Sequence, residues 1–258
     1  MTSGSAGPKE TNPRGGHFSE LLKVQGRLAL REPNGLLGIA VPFGLLVVFA
    51  LINGQEPGNV GNTSYTVLDL YIPIVMVIGL VFIGLGLPST LVRDREIGWL
   101  RRISTTPVHP SRLLAAQLII NLIFALVTIV VVIFGGEIIF GAALNVNVPL
   151  FVLSIVLSIA VIFSLGLVLV AVAPSQAAAN ALGGGFVFGL MFLSGLWTPP
   201  EVVGGPLATI IYYSPSGAAV RALLDSAFNQ APPYTTFATL AVYAVIFAFI
   251  AIHYFRWE

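Results

Sequence analysis

Long apolar runs separated by short polar interruptions set the pattern of this chain, and several runs have the length needed to cross a bilayer. The first occupies residues 36–52. At about 1.5 Å per residue it rises about 26 Å, enough for a hydrocarbon core. Further runs at 67–91, 113–134, 148–172, 177–197 and 237–255 bring the total to six predicted spanning helices. Pro73 is the expected place for a kink in the second. Residues 198–233 hold apolar pieces at 207–213 and 218–228, too short to span and bounded by proline or glycine. They predict two short re-entrant helices dipping into the outer leaflet, a geometry tolerated where protein or water covers the backbone.

The amino-terminal part reads differently. Residues 1–16 are rich in Gly, Ser, Pro and Thr, which cannot bury enough apolar surface to order a backbone. From Phe18 onward, Glu20, Lys23, Arg27 and Arg31 recur at intervals of three and four, with Phe18, Leu21, Leu22, Val24 and Leu28 between them. That is the pattern of an amphipathic helix lying along the membrane interface, stopped by Pro33. The expected organisation is a disordered tail at 1–17, an interfacial helix at 18–32 and a six-span domain at 33–258. The expected fold class is an all-α membrane protein.

Composition agrees: 56% of the residues are hydrophobic and 9% are charged, against about 25% charged in an ordinary soluble domain. The net charge of +1 conceals where the charge lies. Five of the twelve basic residues precede the first span (Lys9, Arg14, Lys23, Arg27, Arg31), and five more lie between spans two and three (Arg93, Arg95, Arg101, Arg102, Arg112). One is at the carboxyl end, Arg256, and the segments assigned to the opposite side carry only Arg221. Cytoplasmic loops accumulate Lys and Arg, so both termini are expected in the cytoplasm. No apolar stretch of signal-peptide length precedes the first span, and none is expected to be cleaved.

Candidate chemistry is sparse. There is no cysteine, and His17, His109 and His253 share no ligand spacing, so no metal site is expected. The phosphate-binding pattern GxxxxGK[ST] needs a lysine after a glycine-rich turn, but the only lysines are Lys9 and Lys23. The chain is therefore expected to bind no cofactor and to hydrolyse no ATP itself. Gly183, Gly184 and Gly185, with Gly189 in GxxxG spacing, read as a close helix-packing face. Asp69 and Glu137 are the acids nearest the spans, and both fall near outer ends, where a proton relay would not place them. No HExxH or nucleophile–base arrangement suggests a protease, and nothing suggests nucleic-acid binding.

The charged stretch at 93–112 carries the most specific signal. Asp94, Arg95, Glu96, Gly98, Leu100, Arg101 and Arg102, followed by Thr106, Pro107 and then Arg112, Leu113 and Leu114, form a charged segment with an apolar anchor. This run resembles the cytoplasmic loop of ABC-2 type transporter permeases, E-x-G-T-L-(E/R)-R-L-x-x-T-P, with Trp99 in place of the usual small residue. The layout is similar to that family too, and FLSGLWTPPEVV and YYSPSGAAVRALL look like its blocks between spans five and six. Within the family the chain is most similar to the drug-export type, such as the daunorubicin-resistance permease.

The resemblance implies the permease subunit of an ATP-driven exporter in the bacterial plasma (inner) membrane. Its partners would be two copies of a separate ABC ATPase carrying ATP and Mg, and a second permease copy, expected to form a homodimer. Arg93, Asp94, Arg95, Glu96, Trp99, Leu100, Arg101 and Arg102 would form the coupling helix docked in the ATPase. Arginines there would equally serve lipid headgroups. A substrate path between two permease copies would run past Phe43, Gly185, Phe186, Phe188, Gly189, Met191 and Phe192. Aromatics and Met at these spacings also suit core or lipid-facing positions. A wall of Phe and Met without fixed charge fits drugs or lipids better than sugar. Polysaccharide or glycolipid export is the alternative, and an ATP-independent secondary transporter or channel a more distant one.

Overall fold

The computed structural model describes residues 25–27, 29, 33–53, 57–60, 63–96, 110–142, 144–197 and 203–254. Among these, six helices are long and apolar enough to cross a membrane. Helix α1 spans Pro33–Asn53. After it comes a hairpin of β1 (Pro57–Val60) and β2 (Thr63–Thr66), antiparallel, with Pro57 opposite Thr66 and Val60 opposite Thr63. Helix α2 then runs over Val67–Glu96 and α3 over Pro110–Phe134, the latter continuing into a π-helical turn at Gly135–Ile139. Helices α4 (Val148–Val172) and α5 (Gln176–Leu193) are joined by a tight turn. Two short helices follow, α6 (Gly205–Tyr213) and α7 (Pro215–Ala227), before α8 (Tyr234–Tyr254).

Helix boundaries follow local chemistry. The α2 start is a reciprocal box: the Thr66 amide donates to Asp69 Oδ2 at 2.8 Å and the Asp69 amide to Thr66 Oγ1 at 3.3 Å. Asp69 thereby also sits at the positive end of the α2 dipole, with Arg93 and Arg95 in its last turn. Asn147 caps α4, Ser175 caps α5 and Ser214 caps α7 through their side-chain oxygens. Gly195, at φ 80°, takes the left-handed conformation just past the end of α5.

Helix α2 is the central post. Of its most apolar stretch 78% is buried, against 17% for α1, α5 and α8. It packs against α1, α3, α4, α5 and α7, and α8 lies along α4. Helices α2 and α4 cross closely: a Cβ at Gly166 would overlap the Gly84 carbonyl oxygen and one at Gly84 would meet Ile162. Van der Waals packing and hydroxyls, the main adhesive between helices in lipid, hold the rest. Thr128 Oγ1 of α3 donates to the Gly38 carbonyl of α1 at 3.3 Å. Ser154 Oγ of α4 donates to the Ala222 carbonyl of α7 at 3.0 Å and lies 3.4 Å from Ser226 Oγ. Ser216 and Ser214 donate to the Leu190 and Leu193 carbonyls at 2.9 and 3.3 Å, pinning α7 under the end of α5.

The residues expected to form a tail lie outside the described residues. Of the expected interfacial helix only residues 25–27 and 29 are described, and these are helical.

Candidate functional site

Three places on this frame bear on function. The first is the end of α2 that projects beyond the main core. Here Leu91 and Val92 of α2 join Val170, Ala173 and Ala179 in a second small core with Leu114 packed against it, tying α2 to α3, α4 and α5. Arg95 donates from Nη2 to the Ala173 carbonyl at the end of α4. A cation there faces the negative end of the α4 dipole as well. Arg93 and Arg95 are half-buried, and Glu96 is exposed. Arg95, expected to dock a partner, thus holds the α4–α5 turn to the end of α2, whereas Glu96 presents its carboxylate outward. The side chain of Asp94, and Trp99, Leu100, Arg101 and Arg102 altogether, lie outside the described residues.

The second is a lateral face. On α5, Phe186, Phe188 and Phe192 are 41%, 67% and 46% exposed. Gly184, Gly185 and Gly189 lie among them, and a Cβ at any of the three would meet nothing within 4 Å. Of the glycine run only Gly183 has a close neighbour: a Cβ there would lie 3.2 Å from the Leu85 carbonyl oxygen. Among the described residues of the chain, therefore, nothing packs against the Gly185–Gly189 pair; Gly84 and Gly166 make a close approach instead. Met191 turns partly inward against the main core. Phe43 is elsewhere: its ring lies against Gly135, beside α3. The exposed positions on α1 include Leu37, Gly44, Val48 and Leu51 instead. Between α1, α2 and α5 lies a shallow groove of about 160 Å³ lined by Leu37, Phe82, Ser89, Asn180 and Gly184.

The third was not anticipated from the sequence. Where α2 begins, a cavity of about 360 Å³ opens between α2, α6 and α7. Its walls include Leu70, Tyr71, Ile74 and Leu224, and its polar groups include Tyr212, Arg221 and Asp225. Arg221 lies over the Tyr212 ring at 4.8 Å, and its Nε stands 3.9 Å from Asp225 Oδ2. Tyr71 is held by stacking on Phe49 at 4.0 Å. The one sequence hint was Arg221 itself, alone among the basic residues in lying outside the terminal segments and the loop between spans two and three.

The family profile described as ABC-2 type transporter matches residues 17–228, which takes in α1 through α7 and the charged loop. The chain belongs to the ABC-2 type transporter family. An ABC-2 chain is the membrane component of an ABC transport system, distinct from the ATPase with which the family pairs. The six apolar helices among the described residues and this domain make it a multi-pass membrane protein. No curated protein matches the chain.

Proposed function

We propose that this ABC-2 chain is the permease of an ATP-driven exporter that moves hydrophobic or amphipathic compounds, drugs or lipids, out of the cytoplasm or inner leaflet. The observation that carries the cargo class is the lateral face of α5: a wide apolar surface of Phe186, Phe188 and Phe192 with no charged residue along the helix. Such a surface stabilises apolar cargo and offers no hydrogen bonds to a sugar. An exposed apolar face is also what a second copy would cover, so two chains meeting through α1 and α5 would enclose a path between them. The assembly would be a homodimer in the bacterial inner membrane, with both termini cytoplasmic and the basic end of α2 facing the cytoplasm. Two ATPase subunits, carrying ATP and Mg, would dock there. Glu96 and the following Trp99, Leu100, Arg101 and Arg102 would be the contacts, a mixed-charge surface with an apolar anchor of the kind that concentrates binding energy.

The test is reconstitution with the partner ATPase in proteoliposomes. ATP-dependent movement of a lipophilic dye or labelled phospholipid is expected, and introducing charge at Phe188 by Phe188→Glu should abolish it. Movement of an undecaprenyl-linked oligosaccharide with no dye transport would overturn the cargo assignment. Uptake or efflux that proceeds without any ATPase would overturn the energy source.

A further inference from the structure

Buried apolar residues among those described fall into two clusters, and the boundary between them crosses the bundle at one level. On α2, Leu85 and Leu87 belong to the main core, whereas Leu91 and Val92 belong to the small one. On α4 the change falls between Leu169 and Val170, and on α5 Ala179 lies in the small core and Leu190 in the main one. Pro88 stands at this boundary, inside α2. Having no N–H, it cannot close a helical bond onto the Gly84 carbonyl, so bending α2 costs less here than elsewhere along the post.

What lies past Pro88 is fastened together. Arg95 donates to the Ala173 carbonyl, and the Ala178 amide donates to Ser175 Oγ at 3.1 Å, so only Pro174 separates the two fastened residues of the α4–α5 turn. Beyond that turn α5 is lightly held: 17% of its apolar stretch is buried, against 78% for α2. The groove of about 160 Å³ runs beside it. Its outer end is pinned again, where Ser216 and Ser214 donate to the Leu190 and Leu193 carbonyls and Gly195 follows at φ 80°. A helix pinned at one end, gripped at the other and sparsely packed between is suited to tilt as a lever. Moving elements are drawn from such weakly packed parts, and their hinges sit at element ends.

We propose that residues 89–96, the α4–α5 turn and the start of α5 move as one unit about Pro88, and that Arg95 is the positioning residue that passes displacement of the α2 end to the Phe-lined face of α5. Arg95 touches no cargo in this role. The transmission rests on the reading, given under Proposed function, that an ATPase docks at the end of α2. Without the Arg95 bond the end of α2 would swing and leave α5 behind. With an ordinary helical residue at 88 it would not swing freely.

The chain contains no cysteine, so a single Leu182→Cys on α5 or Val245→Cys on α8, both exposed, can carry a bimane label. In the full chain alone, in nanodiscs, Arg95→Gln is expected to shift the emission at position 182 and leave that at 245 unchanged. No shift at 182 would overturn the link. In complex with the partner ATPase, a nonhydrolysable ATP analogue should shift the emission at 182 when Arg95 and Pro88 are both present, and in neither Arg95→Gln nor Pro88→Ala. Cargo stimulation of turnover, per bound ATPase, should be lost in both variants, with basal turnover unchanged in Pro88→Ala. Pro88→Ala restores a helix bond and should raise Tm, whereas Arg95→Gln removes a contact and should lower it. A shared loss of coupling with opposite shifts in Tm is not what damage to the fold would give. Nucleotide response or cargo stimulation retained in Pro88→Ala would overturn the hinge, and retained in Arg95→Gln would overturn the link. If Arg95→Gln does not fold, Pro88→Ala decides alone. A chain with Arg95 and Pro88 intact that ignores nucleotide contradicts the docking reading, and the shift at 182 in the chain alone shows whether the α2–α5 link survives it.

Discussion

Replacing Gly166 by alanine inserts one methyl group into the close crossing of α2 and α4. The nearest atom to that methyl is the Gly84 carbonyl oxygen, a backbone atom of the central helix, and the overlap is too deep for contact. A flexible side chain would swing away, but here the helices themselves must separate. Ile162, Leu165 and Leu169 on α4 and Leu80, Ile83 and Leu87 on α2 are buried in the same core and would lose packing together. Overpacking of this kind costs about 1–3 kcal/mol. The comparison that isolates it is Gly185→Ala, where the new methyl meets open space. Both changes place alanine in a helix and share the same gain in helix propensity, about 1 kcal/mol. The difference between the two variants therefore reports the crossing alone. For a chain of this size each kcal/mol corresponds to about 2–4 °C in Tm. Thermal unfolding of detergent-solubilised protein, followed by circular dichroism, is expected to show Gly166→Ala melting several degrees below Gly185→Ala. Equal melting temperatures would refute the claim that α2 and α4 touch through these glycines.

Three further outcomes follow from the same frame. Arg95→Ala removes a charge-assisted bond to the Ala173 carbonyl, worth about 1 kcal/mol once its partial exposure is discounted. It should raise hydrogen exchange in the α4–α5 turn and leave α8 unchanged. A double-mutant cycle of Ser154→Ala and Ser226→Ala should give a coupling of about 0.6 kcal/mol, the scale measured between membrane helices, and zero coupling would mean the 3.4 Å contact contributes nothing. Asp69→Ala should destabilise the start of α2 by about 1 kcal/mol through loss of its cap, read as faster amide exchange at Thr66 and its neighbours; unchanged exchange would sink the capping role.

Much of the fold was legible because a bilayer imposes long apolar runs. The fourth span, expected at 148–172, forms over Val148–Val172, its ends marked by the Asn147 cap and by Pro174. Other limits differed for physical reasons. The second run was expected to end at residue 91, but α2 continues to Glu96, because hydropathy marks where a helix leaves lipid and not where its hydrogen bonds stop. The fifth was expected to reach residue 197, but α5 ends at Leu193, where Ser194 and Gly195 turn the chain. The hairpin at 57–66 was not anticipated, although Gly61-Asn62 between two short runs is a hairpin signal. The π-turn at Gly135–Ile139 had no such signal. Phe43 and Ile72 lie against Gly135 and Gly136 there, contacts made across the fold.

The candidate sites were less legible. Spacing placed Gly185, Phe186, Phe188 and Phe192 on one helix, and the structure exposes all four. It said nothing of Phe43 packing on the far flank, or of Arg95 serving the α4–α5 turn. The cavity of Tyr71, Tyr212, Arg221 and Asp225 joins residues more than a hundred positions apart, which no local pattern reveals.

The central claim is that an ATPase delivers its work through the charged end of α2. ATP turnover by the reconstituted permease–ATPase complex, measured with and without transported compound, tests it most directly. Glu96 is exposed at the end of α2. Glu96→Arg should leave the chain folded and inserted, weaken ATPase co-purification and abolish the dependence of turnover on cargo. Wild-type coupling in Glu96→Arg, and again in a joint Arg101→Glu and Arg102→Glu variant, would contradict the account.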